Sequence, residues 1–304
     1  MSIVKTENLT KTFENFSAID SLTLDINKGE IVGLIGPDGA GKTTLLRLLV
    51  GLMQPSSGSV WIDGLNVFKN NRRVKNFIGY MPQHFSLYGD LSVIENMKFF
   101  ADLYLVPQKQ YKERKEELLS FSGLAPFQKR LARNLSGGMQ KKLALSCNLF
   151  HTPKILFLDE PTTGVDPVSR KELWDFLFAL NHQSVTLVIC TPYMDEAQRC
   201  HRVALIHEGS ILAFTRPADL IEQFTQDVIE IVSDLHETRN QLKTMPALKN
   251  IYPYAETLHL TFDAGENWVQ RTSDFCRENN IAVQNIKKIN PSFEDVFLDL
   301  ISQP

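Results

Sequence analysis

Residues 31–44 read IVGLIGPDGAGKTT, and the rest of the chain is organised around them. The run Ile31 to Ile35 is short and apolar without a break, the pattern of a buried strand. It turns into Gly36-Pro37-Asp38-Gly39-Ala40-Gly41-Lys42-Thr43, which meets the pattern G-x-x-x-x-G-K-[ST] at every fixed position. From Thr43 and Thr44 onward, Leu45, Leu48, Leu49 and Leu52 recur at helical spacing. Strand, glycine loop and helix follow in the order that cradles a phosphate. The glycines let backbone N–H groups curl around an anion without Cβ clashes, and the helix N-terminus adds its positive dipole end. Lys42 is placed to reach the β- and γ-phosphates of a nucleoside triphosphate, and the Thr43 hydroxyl to ligate Mg²⁺.

The chain has 304 residues, which suits one large domain with a small one, or two of moderate size. Hydrophobic residues make up 43%, enough for a substantial core. A net charge of −3 and a pI of about 6.2 argue against a nucleic-acid-coating surface, so no nucleic-acid partner is expected. The basic cluster at residues 69–75 reads as a solvated loop. No apolar run approaches the roughly 20 residues of a membrane helix, and MSIVKTENLT lacks a signal-peptide core. Cys147, Cys190, Cys200 and Cys276 show neither disulfide-framework nor zinc-site spacing. The expectation is a reduced, cytosolic, soluble α/β protein whose membrane association runs through partners.

Two alternating runs, from Ile3 to Leu9 and from Leu22 to Ile26, read as strands closed by the turn Asn27-Lys28-Gly29. Phe13, between them, suits either the core or stacking on a purine ring. Ser59-Val60-Trp61-Ile62 with Asp63-Gly64 reads as a strand and hairpin turn, and residues 77–83 as a strand ended by Pro82 with a loop at Gln83. Ser92-Val93-Ile94-Glu95 is a capping box before a helix reaching about Tyr104. Residues 108–121 read as a surface helix. Leu135-Ser136-Gly137-Gly138-Met139 opens another helix, with Leu143, Leu149 and Phe150 among its apolar positions. Its glycines serve either a simple cap or a second anion site. Residues 155–160 form an apolar strand ending in Asp159-Glu160, a charged end that asks for a cation or water. Beside the phosphate loop, Asp159 is the expected Mg²⁺-shell residue and Glu160 the base that orients attacking water. A turn at Gly164-Val165-Asp166-Pro167, a helix over residues 168–180, a strand over 185–190 and a hairpin turning at Glu208-Gly209 complete this part.

This order of motifs resembles the ATP-binding subunits of ABC transporters over residues 1–216, with the signature at Leu135–Met139 lying between the phosphate loop and the Asp159-Glu160 strand. The resemblance implies an α/β fold: a P-loop NTPase core with a mostly parallel sheet and helices, an antiparallel β subdomain and a helical signature subdomain. It assigns ATP binding to Phe13 as adenine-stacking aromatic, to Gly36, Pro37, Asp38, Gly39, Ala40, Gly41, Lys42, Thr43 and Thr44, and to Ser136, Gly137, Gly138 and Asp166. It assigns Mg²⁺ to Thr43, Gln83 and Asp159, and catalysis to Glu160 and Gln83. Two such domains pack head to tail, the signature of one closing over the γ-phosphate held by the other. The motion passes to membrane subunits through the surface after Gln83, residues 85–96, which implies a peripheral place on the cytoplasmic face of the inner membrane.

Residues 217–304 read as a small C-terminal α+β domain with strands near 228–232, 258–262 and 281–286. Its tail Ser292-Phe293-Glu294-Asp295-Val296-Phe297-Leu298 resembles that of the drug- and polysaccharide-export branch, and GPDGAGKTT with LSGGM resembles enterobacterial tandem exporter ATPases. Its role is open, and a folding or dimer-stabilising appendage is one reading. Three positions depart from the family pattern: Asp38 for Asn, Met139 for Gln, and Pro192 for the histidine that contacts the γ-phosphate. Proline offers no side-chain donor, leaving Thr191 or Tyr193 as substitutes. The expectation is a site that binds Mg·ATP and turns it over slowly, paired with a histidine-bearing domain, a fused second half, or a second copy. The alternative is a regulatory ATP-binding clamp with little hydrolysis.

Overall fold

A strand with no polar residue must be covered on both faces, and β3 (Ile31–Ile35) is buried along its whole length. In the computed structural model it sits inside a six-stranded sheet with β6 (Ile78–Met81), β7 (Ile155–Asp159), β8 (Thr186–Thr191), β9 (Arg202–His207) and β10 (Ser210–Thr215). The order is β10-β9-β3-β8-β7-β6, parallel from β9 through β6. The structure describes residues 1–302 except Phe85, Ser86, Asp234 and Ala255. The chain divides into two compact units, Met1–Phe214 and Thr215–Pro304.

A second sheet in the first unit is antiparallel: β1 (Ser2–Phe13), β2 (Phe16–Asn27), β4 (Ser57–Ile62) and β5 (Leu65–Asn66), in the order β2-β1-β4-β5. Its first hairpin is longer than the apolar alternation suggests, so Phe13 ends β1 opposite Phe16 instead of lying in a connection. The β4–β5 turn is Asp63-Gly64, with φ 49° and 76°, the two left-handed residues a tight hairpin needs. Between the sheets lies α1 (Lys42–Leu49), whose Leu45, Leu46, Leu48 and Leu49 are fully buried against both. The helix stops before Gly51, and Leu52, read as continuing it, is 60% exposed. A short α2 (Asn71–Lys75) precedes β6.

The helical part comprises α3 (Val93–Leu103), α4 (Gln108–Ser122) and α5 (Gly137–Cys147). The Ser92–Glu95 capping box opens α3 as its sequence implies. The α5 helix ends before Leu149 and Phe150, which are buried in the loop beyond. Asn96 is fully buried: its side chain joins the backbone of Tyr88 in both directions, at 2.9 and 3.0 Å, and reaches Leu91 O at 3.1 Å. The surface read over residues 85–96 therefore ends in an internal brace, and its Phe85 and Ser86 lie outside the described residues. Two helices close the unit, α6 (Pro167–His182) and α7 (Met194–Ala197).

The second unit is a four-stranded antiparallel sheet, β12-β13-β11-β14, formed by β11 (Gln226–Ser233), β12 (Asn250–Tyr254), β13 (Thr257–Asp263) and β14 (Val283–Ile289). With it go α8 (Pro217–Glu222), α9 (Leu235–Leu242), α10 (Trp268–Glu278) and α11 (Phe293–Ser302). The strand β12 escapes the sequence reading because Pro253 interrupts it, which an edge strand tolerates. Trp268 stacks on Phe262 at 4.4 Å in the core of the unit.

The tail motif has a physical reading here. Ser292 and Asp295 cap α11 reciprocally, Asp295 N–H donating to Ser292 Oγ at 3.1 Å and Ser292 N–H to Asp295 Oδ2 at 2.7 Å. The other oxygen of Asp295 meets buried His259 Nδ1 at 2.7 Å, fastening the helix to β13. Burial pushes the Asp295 carboxyl up, but the bonds from His259 and Ser292 outweigh it and hold the group below the usual aspartate range. A depressed carboxylate stabilises the fold above its unfolded pKa of about 3.9 and loses that contribution as pH falls through the folded value. Asp295→Asn should therefore lower stability at pH 7 by about 1–3 kcal/mol and flatten the acid limb of a thermal-melting series below about pH 4. Equal acid slopes in the two proteins would contradict this reading.

A candidate nucleotide-binding site

Glycine forms the β3–α1 turn where a side chain has no room. A Cβ on Gly36 would lie 2.2 Å from the Ile206 carbonyl oxygen, and one on Gly41 2.4 Å from that of Ala18. Gly41 also has φ 103° and opens α1, so its N–H and those following point out of the helix end. Lys42 is only 6% exposed, and its ammonium spans the loop, donating to Gly36 O at 2.7 Å and Pro37 O at 2.8 Å. Such neutral acceptors are weaker partners for an ammonium than phosphate oxygens.

From the next residue, the Thr43 hydroxyl donates to Asp159 Oδ1 at 3.1 Å, joining the start of α1 to the end of β7. Asp159 is 1% exposed, and its Oδ2 is buried with no hydrogen-bond donor among the described residues. Burial raises its pKa, and the Thr43 hydrogen bond only partly opposes that. Glu160 follows with φ 48°, which turns its side chain away from the strand path. Its Oε2 accepts from Gln83 Nε2 at 2.9 Å and from Thr163 Oγ1 at 3.0 Å. Lys141, one turn into α5, donates to the carbonyls of Gln83 at 3.3 Å and Glu160 at 3.4 Å, and its pKa is lowered by burial. Lys141 and Thr163 belong to no motif that the sequence reading recognises; only their positions just after the signature and the acidic pair could have pointed to them.

A cavity of about 450 Å³ opens over the loop, with Asp38, Gly39, Gly41, Lys42, Thr43 and Thr44 on one side and Gln83 and Glu160 on the other. Phe16 and Ala18 complete its lining. Phe13, the aromatic expected there, does not line it: 43% exposed, it lies under the Lys11 ammonium at 5.0 Å. Phe16, 57% exposed and directly across the hairpin, lines the cavity instead, and an aromatic two residues before the Ala18-Ile19 pair was its only signal in the sequence. Gly36, Pro37 and Ala40 belong to the loop but not to this lining, and neither does buried Asp159.

The signature residues form a separate surface. Ser136 caps α5, accepting from Met139 N–H at 3.3 Å, and Asp166 caps α6, accepting from Ser169 N–H at 2.9 Å. Gly138 lets the two helices meet, since a Cβ there would lie 2.5 Å from that of Ser169. Hydrogen bonds from Ser169 hold the Asp166 carboxyl below its usual range. Gly137 and Gly164 line a second cavity of about 520 Å³ that also contains Gln83. Ser136, Gly137, Gly138 and Asp166 are thus not brought to the loop cavity of their own chain, and Gln83 stands between the two. At the end of β8, Thr191 donates its hydroxyl proton to Glu196 Oε2 at 2.7 Å and accepts from Tyr193 N–H at 3.1 Å. The Tyr193 ring lies under Arg170 at 4.1 Å. The Thr191 proton is therefore already committed beside Pro192.

A glycine loop between a central parallel strand and a helix, with an acid at the end of the strand two places away, defines a P-loop α/β domain. Residues 19–163 match the family model described as ABC transporter. The chain is 35% identical over 235 residues to the Nod factor export ATP-binding protein I of Cupriavidus metallidurans, covering 77% of this chain and 78% of that protein. The chain belongs to the ATP-binding proteins of the ABC transporter family. It is 37% identical over 306 residues to the probable multidrug ABC transporter ATP-binding protein YbhF of Escherichia coli, covering 99% of this chain but 52% of that one, so it spans about half the length of this relative. The linearmycin resistance ATP-binding protein LnrL of Bacillus subtilis is 28% identical over 98% of both chains. Among solved structures, an ATP-binding cassette in a dimeric, post-hydrolysis state bound to ADP and Pi superposes with a TM-score of 0.64 at 27% identity, covering 70% of this chain and 98% of that one. The transporter component cbiO1 of Clostridium perfringens gives 0.68 at 25% identity, over 81% and 96%.

The two loop glycines make a differential prediction. Gly41→Ala meets backbone and a left-handed φ together, and should cost about 2 kcal/mol or more of unfolding free energy. Gly39→Ala meets only the φ of 82°, with open space for its methyl, and should cost about 1 kcal/mol. Denaturant titration of both variants checks the order, and equal losses would contradict it.

Proposed function

We propose that the chain binds Mg·ATP at the loop cavity and hydrolyses it to drive export through a membrane subunit. The observation behind it is the pairing of Thr43 with Asp159, whose second oxygen is buried without a donor among the described residues. The donor set suits a hard cation that keeps water and phosphate as its other ligands. Thr43 and Asp159 would hold Mg²⁺, with Gln83 adjacent, and the ion would neutralise charge on the β- and γ-phosphates. Lys42 exchanges its loop carbonyls for phosphate oxygens. Glu160 accepts hydrogen bonds from Gln83 and Thr163 on one oxygen, which leaves its other oxygen to orient water and take its proton.

In this reading the Ser136–Gly138 helix end closes over the phosphate of a second ATP domain, either another copy, a fused half or a histidine-bearing partner. Its separation from the chain's own loop cavity supports such an arrangement, and so does the dimeric relative. Export is supported by the relatives, whose names speak of multidrug transport, Nod factor export and linearmycin resistance. A groove of about 650 Å³ beside α3, where Leu103 is 62% and Leu105 87% exposed with Arg72 and Lys75 on the rim, supports docking of a membrane subunit there. Among the described residues no helix is long and apolar enough to cross a membrane, which accords with peripheral attachment at the inner membrane through that subunit. Residues 217–304 are read as an accessory domain.

The second reading is a clamp that binds ATP and scarcely hydrolyses it. Pro192 favours it, because the neighbouring Thr191 proton is held by Glu196 and does not substitute for a missing donor. Steady-state turnover of Mg·ATP separates the two. Glu160→Gln should lower it about a hundredfold or more, and Pro192→His should raise it by about tenfold through a restored phosphate donor. A rate untouched by Glu160→Gln would refute the enzyme reading, while tight binding with no turnover in either background would leave the clamp.

A further inference from the structure

The segments that enter the parallel strands end far from the phosphate loop. Lys28 precedes β3, Lys154 precedes β7 and Ser184 precedes β8 by one residue or a few, whereas Gly36 to Lys42 leave the opposite end of β3. At this entry edge a cavity of about 280 Å³ gathers Lys28, Lys154 and Arg114, the last contributed by α4. Buried Leu149 and Leu180 form its floor. The described lining contains no carboxylate.

The three cations are incompletely neutralised. Lys28 makes no ion pair among the described residues; Lys154 meets Asp63 at 2.5 Å and Arg114 meets Glu117 at 2.9 Å, both outside the lining. Arg114 also donates to Leu149 O at 2.9 Å, and its Nε–H is buried with no acceptor among the described residues. The side chains of Gln183 and Ser184, on the rim, carry no hydrogen bond among the described residues. Backbone donors are spent: the amides of Lys28, Lys154 and Ser184 bond to Met1, Phe77 and Asn181. What the cavity offers is therefore a set of side-chain donors around one unpaired cation, Lys28, and two cations whose carboxylate partners lie outside the lining, which suits a polyvalent oxyanion bound by charge-assisted hydrogen bonds.

We propose that this cavity is a second anion site, taking a phosphate or pyrophosphate group and tying α4 of the helical part to the entry edge of the core sheet. Its ligand would act as an effector, since it lies at the end of the sheet away from the nucleotide loop. The proposal stands independently of ATP hydrolysis.

The test is titration calorimetry of pyrophosphate into the full chain with ADP in excess, repeated in Lys42→Ala, whose phosphate loop has lost its lysine. Binding should persist in Lys42→Ala, and inorganic phosphate should bind the same site more weakly. Lys28→Gln and Arg114→Gln should each weaken pyrophosphate binding about tenfold, the loss of one charge-assisted bond. Lys28 is exposed at a turn, so its variant keeps the test decisive even where Arg114→Gln disturbs α4. No binding to wild type, binding that vanishes in Lys42→Ala, or binding indifferent to Lys28→Gln each overturns the proposal.

Discussion

One hydrogen bond, from the Thr43 hydroxyl to Asp159 at 3.1 Å, joins segments 116 residues apart and fixes what the rest of the first unit must do. It requires the C-terminal end of β7 to lie beside the start of α1, with β8 holding β3 and β7 at the right spacing. Burying an aspartate there is unfavourable, and the raised pKa of Asp159 expresses it. Its second oxygen has no hydrogen-bond partner among the described residues, a position that a cation or a bound proton would satisfy. The glycine loop, the lysine laid across it and the turned-out Glu160 are all arranged around that buried carboxylate.

Much of this was legible in the sequence because each element carries its own local signal. Residues 31–35 and 155–158 are apolar throughout, and strands of that kind belong inside a parallel sheet. The Ser92–Glu95 capping box and the Asp63-Gly64 turn are short-range chemistry, and both form as read. What stayed hidden depends on contacts between distant residues. Phe16, rather than Phe13, lines the cavity because hairpin pairing sets the register across a tight turn, and register is a property of two strands. Asn96 reads as a polar surface residue but braces the segment from Tyr88 to Leu91 from inside. Lys141 joins the site through two carbonyls that only the fold brings together.

Pro192 shows how a local departure is judged by its surroundings. Its neighbour Thr191 has a hydroxyl, which by composition alone is a substitute donor; the geometry spends that proton on Glu196. The tail motif makes the opposite case: Ser292 and Asp295 look like a branch signature, and physically they are a helix cap whose free oxygen grips a buried histidine. That grip accounts for a serine and an aspartate three residues apart without any role in nucleotide chemistry.

The central claim is that buried Asp159, with Thr43, holds the cation that accompanies ATP. Affinity for ATP measured by equilibrium binding, with Mg²⁺ and with a chelator, in wild type and in Asp159→Asn, tests it most directly. Mg²⁺ should tighten binding to wild type by about tenfold or more, and Asp159→Asn, still folded, should lose that gain while keeping its metal-free affinity. A variant that retains the full Mg²⁺ dependence would contradict the account.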